Sequence, residues 1–271
     1  MRKLFVLTFL TLISIACTNH KTETVVLESN HLPTADSILI VTPENYNISN
    51  DYPLIILLHG WSGNYQQWNS IIDLQDLANA YNFVIVCPDG FYDSWYVNNP
   101  IKKEVQYEDF FWQDFVPFLK RNYTIDSNNI FISGLSMGGH GAITLFLKNS
   151  QFFKSAASTS GILDLTFFPD RWSIKDGIGS IIDYPDVWKN NSAYFLLDSL
   201  DNFNKKMFID CGTEDFAYRV NLNFVKKCYD LGIDAKFISI PGTHSRDHWK
   251  KMITEHFEFF YEQIDSVYSD L

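Results

Sequence analysis

The chain alternates between short, almost wholly apolar runs and longer stretches in which apolar residues recur every three or four positions. Runs such as Leu54-Ile55-Ile56-Leu57-Leu58 and Ile130-Phe131-Ile132 are apolar throughout and short, so they read as strands buried on both faces of a parallel sheet. The expected order is strand 54–58, helix 69–81, strand 83–87, helix 107–121, strand 129–133, helix 137–149 and strand 155–159. Strand 206–211, helix 218–231, strand 235–240 and helix 248–268 follow. Ahead of them, Val25-Val26-Leu27 and Ser37-Ile38-Leu39-Ile40-Val41 suggest an antiparallel opening hairpin on a sheet edge. Strands alternating with helices predict an α/β fold, a mainly parallel twisted sheet covered on both faces. Residues 161–204 break the rhythm: they are rich in aromatics (Phe167, Phe168, Trp172, Trp188), contain Gly177 and Gly179, and look helical only near 192–201. An insertion of this kind reads either as a cap over a site or as a satellite core.

Candidate chemistry lies at the strand ends. Ile130-Phe131-Ile132-Ser133 runs into Gly134-Leu135-Ser136-Met137-Gly138, and a helix-compatible stretch follows. This is the strand–turn–helix setting of a nucleophile elbow, in which the serine is strained and residues two away must lack side chains. A nucleophilic serine needs a base, an acid to orient that base, and donors for the oxyanion. Asp215 follows the 206–211 strand after a break at Gly212, and His244 follows the 235–240 strand after Pro241-Gly242. Open α/β sheets place ligands at such positions.

Rivals exist for both. His248, four residues on, is the other histidine in range, Glu214 is the alternative acid, and Asp210 still lies inside its strand, where it caps or pairs locally. His59 and His140 come too early in the chain. A metal site from His244, Asp247 and His248 would need a helix, which Pro241-Gly242 opposes. For the oxyanion, the backbone N–H of Met137 and that of Trp61, in the turn His59-Gly60-Trp61-Ser62-Gly63, are the expected donors.

These pieces together resemble the esterase D / feruloyl esterase / mycolyltransferase-like family of α/β-hydrolases. The resemblance rests on Leu57-Leu58-His59-Gly60, Pro88-Asp89-Gly90 with Ser94-Trp95-Tyr96, Gly134-Leu135-Ser136-Met137-Gly138-Gly139, Cys211-Gly212-Thr213-Glu214-Asp215, and Gly242-Thr243-His244-Ser245 before Trp249. It runs from about residue 51 to the C-terminus. It implies the α/β-hydrolase fold, a Ser136, Asp215, His244 triad, and oxyanion amides at Trp61 and Met137. Members of that family hydrolyse or transfer acyl groups of carbohydrate, short-chain, formyl-glutathione, siderophore or lipid esters. Such chemistry needs neither a metal nor an organic cofactor.

The N-terminus changes the expected setting. Met1-Arg2-Lys3 is positive, Leu4 to Ala16 is largely apolar but short for a membrane span, and Ser14-Ile15-Ala16-Cys17 resembles a lipobox. Residues 1–16 are therefore read as a lipoprotein signal peptide, Cys17 as the lipidated residue, 17–30 as a polar tether and 31–271 as one domain. The expectation is an exported bacterial lipoprotein, with the outer membrane as its anchoring site. Beyond residue 16, 19 basic residues face 32 acidic ones, a net charge of −13, which argues against nucleic-acid binding. Cys87 and Cys211 sit at strand ends and read as small buried residues; a Cys211–Cys228 disulfide is conceivable in an exported chain.

Aromatic residues make up 16% of the chain, and Trp61, Tyr65, Trp68, Trp95, Tyr96, Trp172 and Trp188 fall in segments expected to border Ser136. Flat rings suit sugar faces or a feruloyl group, so Trp95, Trp172 and Trp188 are the candidate substrate-binding residues. The leading function is a serine esterase for acetyl or feruloyl esters of carbohydrates. The alternatives are an acyltransferase at the same site, a serine peptidase, and a non-catalytic glycan-binding lipoprotein.

Overall fold

A computed structural model describes residues 22–200 and 203–264. The strands are β1 (Thr22–Leu27), β2 (Asp36–Val41), β3 (Tyr52–Leu58), β4 (Val84–Pro88), β5 (Ile125–Gly134), β6 (Ser155–Thr159), β7 (Lys206–Gly212) and β8 (Ala235–Ile240). The helices are α1 (Gln67–Ile71), α2 (Leu74–Tyr81), α3 (Tyr107–Phe110), α4 (Val116–Asn122), α5 (Met137–Lys148), α6 (Ile174–Ile178), α7 (Pro185–Asn190), α8 (Ala193–Leu196), α9 (Tyr218–Asp230) and α10 (Arg246–Tyr261).

All eight strands form one sheet in the order β1-β2-β4-β3-β5-β6-β7-β8. β1 pairs antiparallel with β2, and β2 antiparallel with β4; every other pairing is parallel. The opening hairpin and the parallel sheet are thus as the hydrophobic pattern predicts. Each central strand feeds two cores. Leu54, Ile56 and Leu58 join the cluster with α5 and α9, while Ile55 and Leu57 join the cluster with α2 and α10. Side chains alternate across a strand, so a continuous apolar run is what a sheet covered on both faces requires. Each such side chain contributes roughly 1.5–3 kcal/mol on burial.

Several boundaries differ from the sequence reading. The helix expected over 69–81 is two. Ile72 is extended, and the Asp73 side chain accepts from the Gln75 backbone N–H, starting α2 afresh. Between α3 and α4 the helix widens into a π-type turn at Phe111–Phe115, whose rings pack on one another and on Phe153. The tether boundary also moves, because residues 22–27 form the edge strand β1. Residues 161–204 hold α6, α7 and α8 rather than irregular chain, and Trp188 and Leu197 are fully buried there. Among the described residues the insertion is mostly satellite core, and from it Trp172 reaches the site described below. Cys87, Cys211 and Cys228 are buried free thiols, so Cys211 and Cys228 form no disulfide. Residues 1–21, with Cys17 and the signal segment, lie outside the described residues, as does the end expected for the last helix. No helix among the described residues is long and apolar enough to cross a membrane.

Candidate active site

Ser136 stands between the end of β5 and the start of α5 with φ 53° and ψ −115°. An L-residue is rarely held at positive φ, and here the surroundings enforce it. A Cβ on Gly134 would lie 2.2 Å from the Gly138 carbonyl oxygen, and one on Gly138 would lie 2.2 Å from that of Leu58. Only glycine lets the elbow close against β3. The Ser136 N–H donates to the Thr159 carbonyl and its own carbonyl accepts from the His140 N–H, fixing the turn from both sides.

Ser136 Oγ is 2.9 Å from His244 Nε2, and His244 Nδ1 is 2.9 Å and 3.0 Å from the two Asp215 carboxylate oxygens. A carboxylate only accepts, so Nδ1 carries the proton and Nε2 is free to accept from the Ser136 hydroxyl. Burial alone would raise the Asp215 pKa. The hydrogen bond and charge attraction from His244, with the Ala217 N–H, outweigh it and hold the carboxyl below its ordinary value. The Phe216 ring lies 4.3 Å from the His244 ring between centroids, and Trp249 meets the imidazole edge-on at 5.2 Å.

Met137 opens α5, so its N–H has no acceptor within the helix and points with the helix dipole. The loop carrying Trp61 is fixed by three hydrogen bonds: Gly60 N–H to Gln67 Oε1, Ser62 N–H to the Tyr92 carbonyl, and Gly63 N–H to the Gly60 carbonyl. Among the described residues no protein acceptor takes up the Trp61 or Met137 backbone N–H. The Trp61 indole N–H is likewise buried without a partner. Around Ser136 a cavity of about 150 Å³ is lined by Gly60, Trp61, Gln67, Trp95, Leu135, Trp172, Phe216, His244 and Trp249.

The rival residues go elsewhere. Glu214 is exposed, while Asp215 reaches His244. His248 Nε2 donates to Asp210 Oδ1 (2.9 Å), and His256 Nε2 donates to Asp210 Oδ2 (2.7 Å). Thr159 adds its hydroxyl to Oδ1, and Ser133 bonds His256 Nδ1. This buried cluster ties α10 to β5, β6 and β7. His244 and His248, candidates for one metal, therefore face two different carboxylates. His59 Nδ1 donates to the Gly60 carbonyl and Nε2 accepts from the Gly90 N–H. His140 is fully buried, which pushes its pKa down to about 4, and its Nε2 donates to the Asn191 carbonyl.

Of the aromatics expected at the site, Trp61, Trp95 and Trp172 line the cavity. Trp188 does not: its indole N–H is satisfied by the Gly179 carbonyl inside the insertion. Trp68 and Tyr96 are also core residues, their polar ends bonded to the Leu58 and His59 carbonyls. Phe216 and Gln67 escaped the sequence reading, although Phe216 immediately follows Asp215.

The sequence model of the family described as "Putative esterase" matches residues 29–260. The chain belongs to this family. It is 26% identical over 233 residues to an acetyl esterase of Caldicellulosiruptor saccharolyticus, covering 80% of this chain and 86% of that protein. It is also 26% identical over 229 residues to an S-formylglutathione hydrolase of Rattus norvegicus, covering 75% and 80%. A solved ferulic acid esterase shares the fold with a TM-score of 0.78 and 23% identity, over 89% of this chain and 97% of that one. Membership agrees with the resemblance carried by the motifs, and the mixed, mostly parallel sheet is that of α/β-hydrolase esterases.

Proposed function

We propose that this member of the esterase family is a serine carboxylic-ester hydrolase that removes acyl groups, acetyl or feruloyl, from carbohydrates. The observation that carries this reading is the unbroken hydrogen-bonded chain from Ser136 Oγ through His244 to Asp215, opening on a ring-lined cavity. Ser136 Oγ attacks the ester carbonyl as its proton passes to His244 Nε2, and Asp215 stabilises the imidazolium. The tetrahedral oxyanion receives the Met137 and Trp61 amides, the first strengthened by the α5 dipole. Collapse expels the alcohol, which takes the proton from His244, and leaves an acyl group on Ser136. Water repeats the sequence in reverse to free the acid. Trp61, Trp172 and Phe216 form the rim, with faces suited to a sugar ring.

The test is acetate and ferulate release from acetylated and feruloylated xylo-oligosaccharides, beside S-formylglutathione, matched amides and long-chain esters. Turnover of one or other class of sugar ester, acetyl or feruloyl, above all other substrates is expected. Exclusive turnover of amides, thioesters or long-chain lipid esters would defeat the carbohydrate reading, and sugar transfer in place of hydrolysis would make the protein an acyltransferase.

The proposed setting is a lipoprotein anchored through Cys17. Mass spectrometry of the protein from its native host is expected to find a glyceride-linked diacyl or triacyl modification on Cys17; an unmodified N-terminus starting at another residue would rule the anchor out.

A further inference from the structure

A second pocket, of about 350 Å³, opens on the surface and is lined by Phe91, Ser94, Val97, Lys102, Asp176 and Gly177, among others. The Trp95 indole touches both linings. On one side Trp95 lines the Ser136 cavity. On the other, a Cβ built on Gly177 would stand 3.8 Å from Trp95 Cδ1. The ring is held firmly: Trp95 is 1% exposed, its N–H donates to the Trp172 carbonyl at 3.1 Å, and its face meets the His140 ring edge-on at 5.6 Å. Trp95, Tyr96 and Trp172 all sit at positive φ, so the backbone that carries the partition is itself in a conformation L-residues seldom adopt.

We propose that Trp95 is the residue that sets acyl size, narrowing the acetyl-or-feruloyl reading above to short acyl groups such as acetyl; the proposal rests on the serine-esterase part of that reading. The alcohol side of the ester must leave toward solvent, past the partly exposed Trp61, Trp172 and Phe216. The acyl side then faces the buried end, where Trp95 and Leu135 stand. An apolar cavity of roughly 150 Å³ holds about one benzene ring. Acetyl fits such a space, whereas a feruloyl group or an eight-carbon chain does not. The pocket beyond the indole has the volume of a ligand pocket, typically about 300–1,000 Å³, and loss of the ring would open the Ser136 cavity toward it.

The experiment measures kcat/KM for p-nitrophenyl acetate, butanoate, hexanoate and octanoate, and for a methyl hydroxycinnamate, with fluorophosphonate labelling of Ser136 in every variant. The wild-type enzyme is expected to lose activity steeply beyond butanoate. Trp95→Ala is expected to raise the octanoate-to-acetate ratio by roughly 10- to 200-fold, the range that added methylene contacts in an apolar pocket supply. Gly177→Leu, whose Cβ meets only ordinary contacts at 3.6 and 3.8 Å, is expected to leave the wild-type chain-length profile unchanged. In the Trp95→Ala background the same leucine is expected to refill the space and reverse the gain. Efficient octanoate turnover by the labelled wild-type enzyme would overturn the partition, and so would a Gly177→Leu effect on the wild-type profile. Both tests hold even if Trp95→Ala does not fold. Absence of label on wild-type Ser136 would overturn the esterase reading as well, so the two failures are told apart.

Discussion

Ser136→Ala is expected to reduce ester turnover on the order of 10⁶-fold, and His244→Ala by a similar factor, because triad members act as a unit. Asp215→Asn is expected to cost about 10⁴-fold, since an amide holds the wrong imidazole tautomer against Ser136. The geometry behind this is the pair of contacts at His244, 2.9 Å to Ser136 Oγ on one side and 2.9 Å to Asp215 on the other. Steady-state kinetics on a short aryl ester, at matched folded concentration, checks it. The informative control is His248→Ala. That histidine faces Asp210 and not Ser136, so turnover per folded molecule is expected to survive. Loss of turnover in His248→Ala with activity retained in His244→Ala would reverse the assignment of the base.

Asp210→Ala is expected to destabilise the fold by ~3–5 kcal/mol, because it strands the donors of His248 and His256 in a dry interior. In a domain of this size that lowers the melting temperature by roughly 10 °C. The effect has a pH signature. Burial by itself would raise the Asp210 pKa; the hydrogen bonds from His248 and His256, attraction to His256 and the Thr159 hydroxyl prevail and lower it. A depressed folded-state pKa means that the carboxylate's contribution is complete above the unfolded value, about 3.9, and is lost as pH falls through the folded value. The gap between wild type and Asp210→Ala is therefore expected to be constant near neutrality and to close only below about pH 4. Thermal melts from pH 7 to pH 3 test this, and a gap that widened on acidification would contradict it.

The strands were legible because a chain segment buried on both faces has no polar position to spare, and β3 and β4 have none. The approach of Ser136, Asp215 and His244 was legible because parallel strands deliver their following loops to one edge of the sheet, whatever their separation in sequence. Other features depend on where side chains end up in three dimensions. A tryptophan in a loop looks the same whether its ring borders a cavity or its N–H has found a buried carbonyl, and this hid the core roles of Trp68 and Trp188. The Asp210 cluster was half visible. A carboxylate inside an apolar strand demands partners, but nothing local says that they come from His248 and His256, eight residues apart on one face of α10. The break before α2 was signalled by Asp73, a good N-cap residue passed over inside a helical pattern.

The edge strand β1 also decides which way the molecule faces. Thr22 pairs with Val41, and Val41 pairs with Ile85 near the start of β4, so the chain enters at the end of the sheet where the parallel strands begin. Ser136 lies past the opposite end, beyond Gly134 at the finish of β5. Whatever grips the N-terminus therefore grips the far side of the protein from its cavity. Four residues lie between Cys17 and Thr22, and the five steps from one to the other reach at most roughly 18 Å when fully extended. A lipid at Cys17 would hold the domain close to its bilayer with the mouth of the site turned outward, out of contact with lipids of that leaflet and open to polymers arriving from the medium.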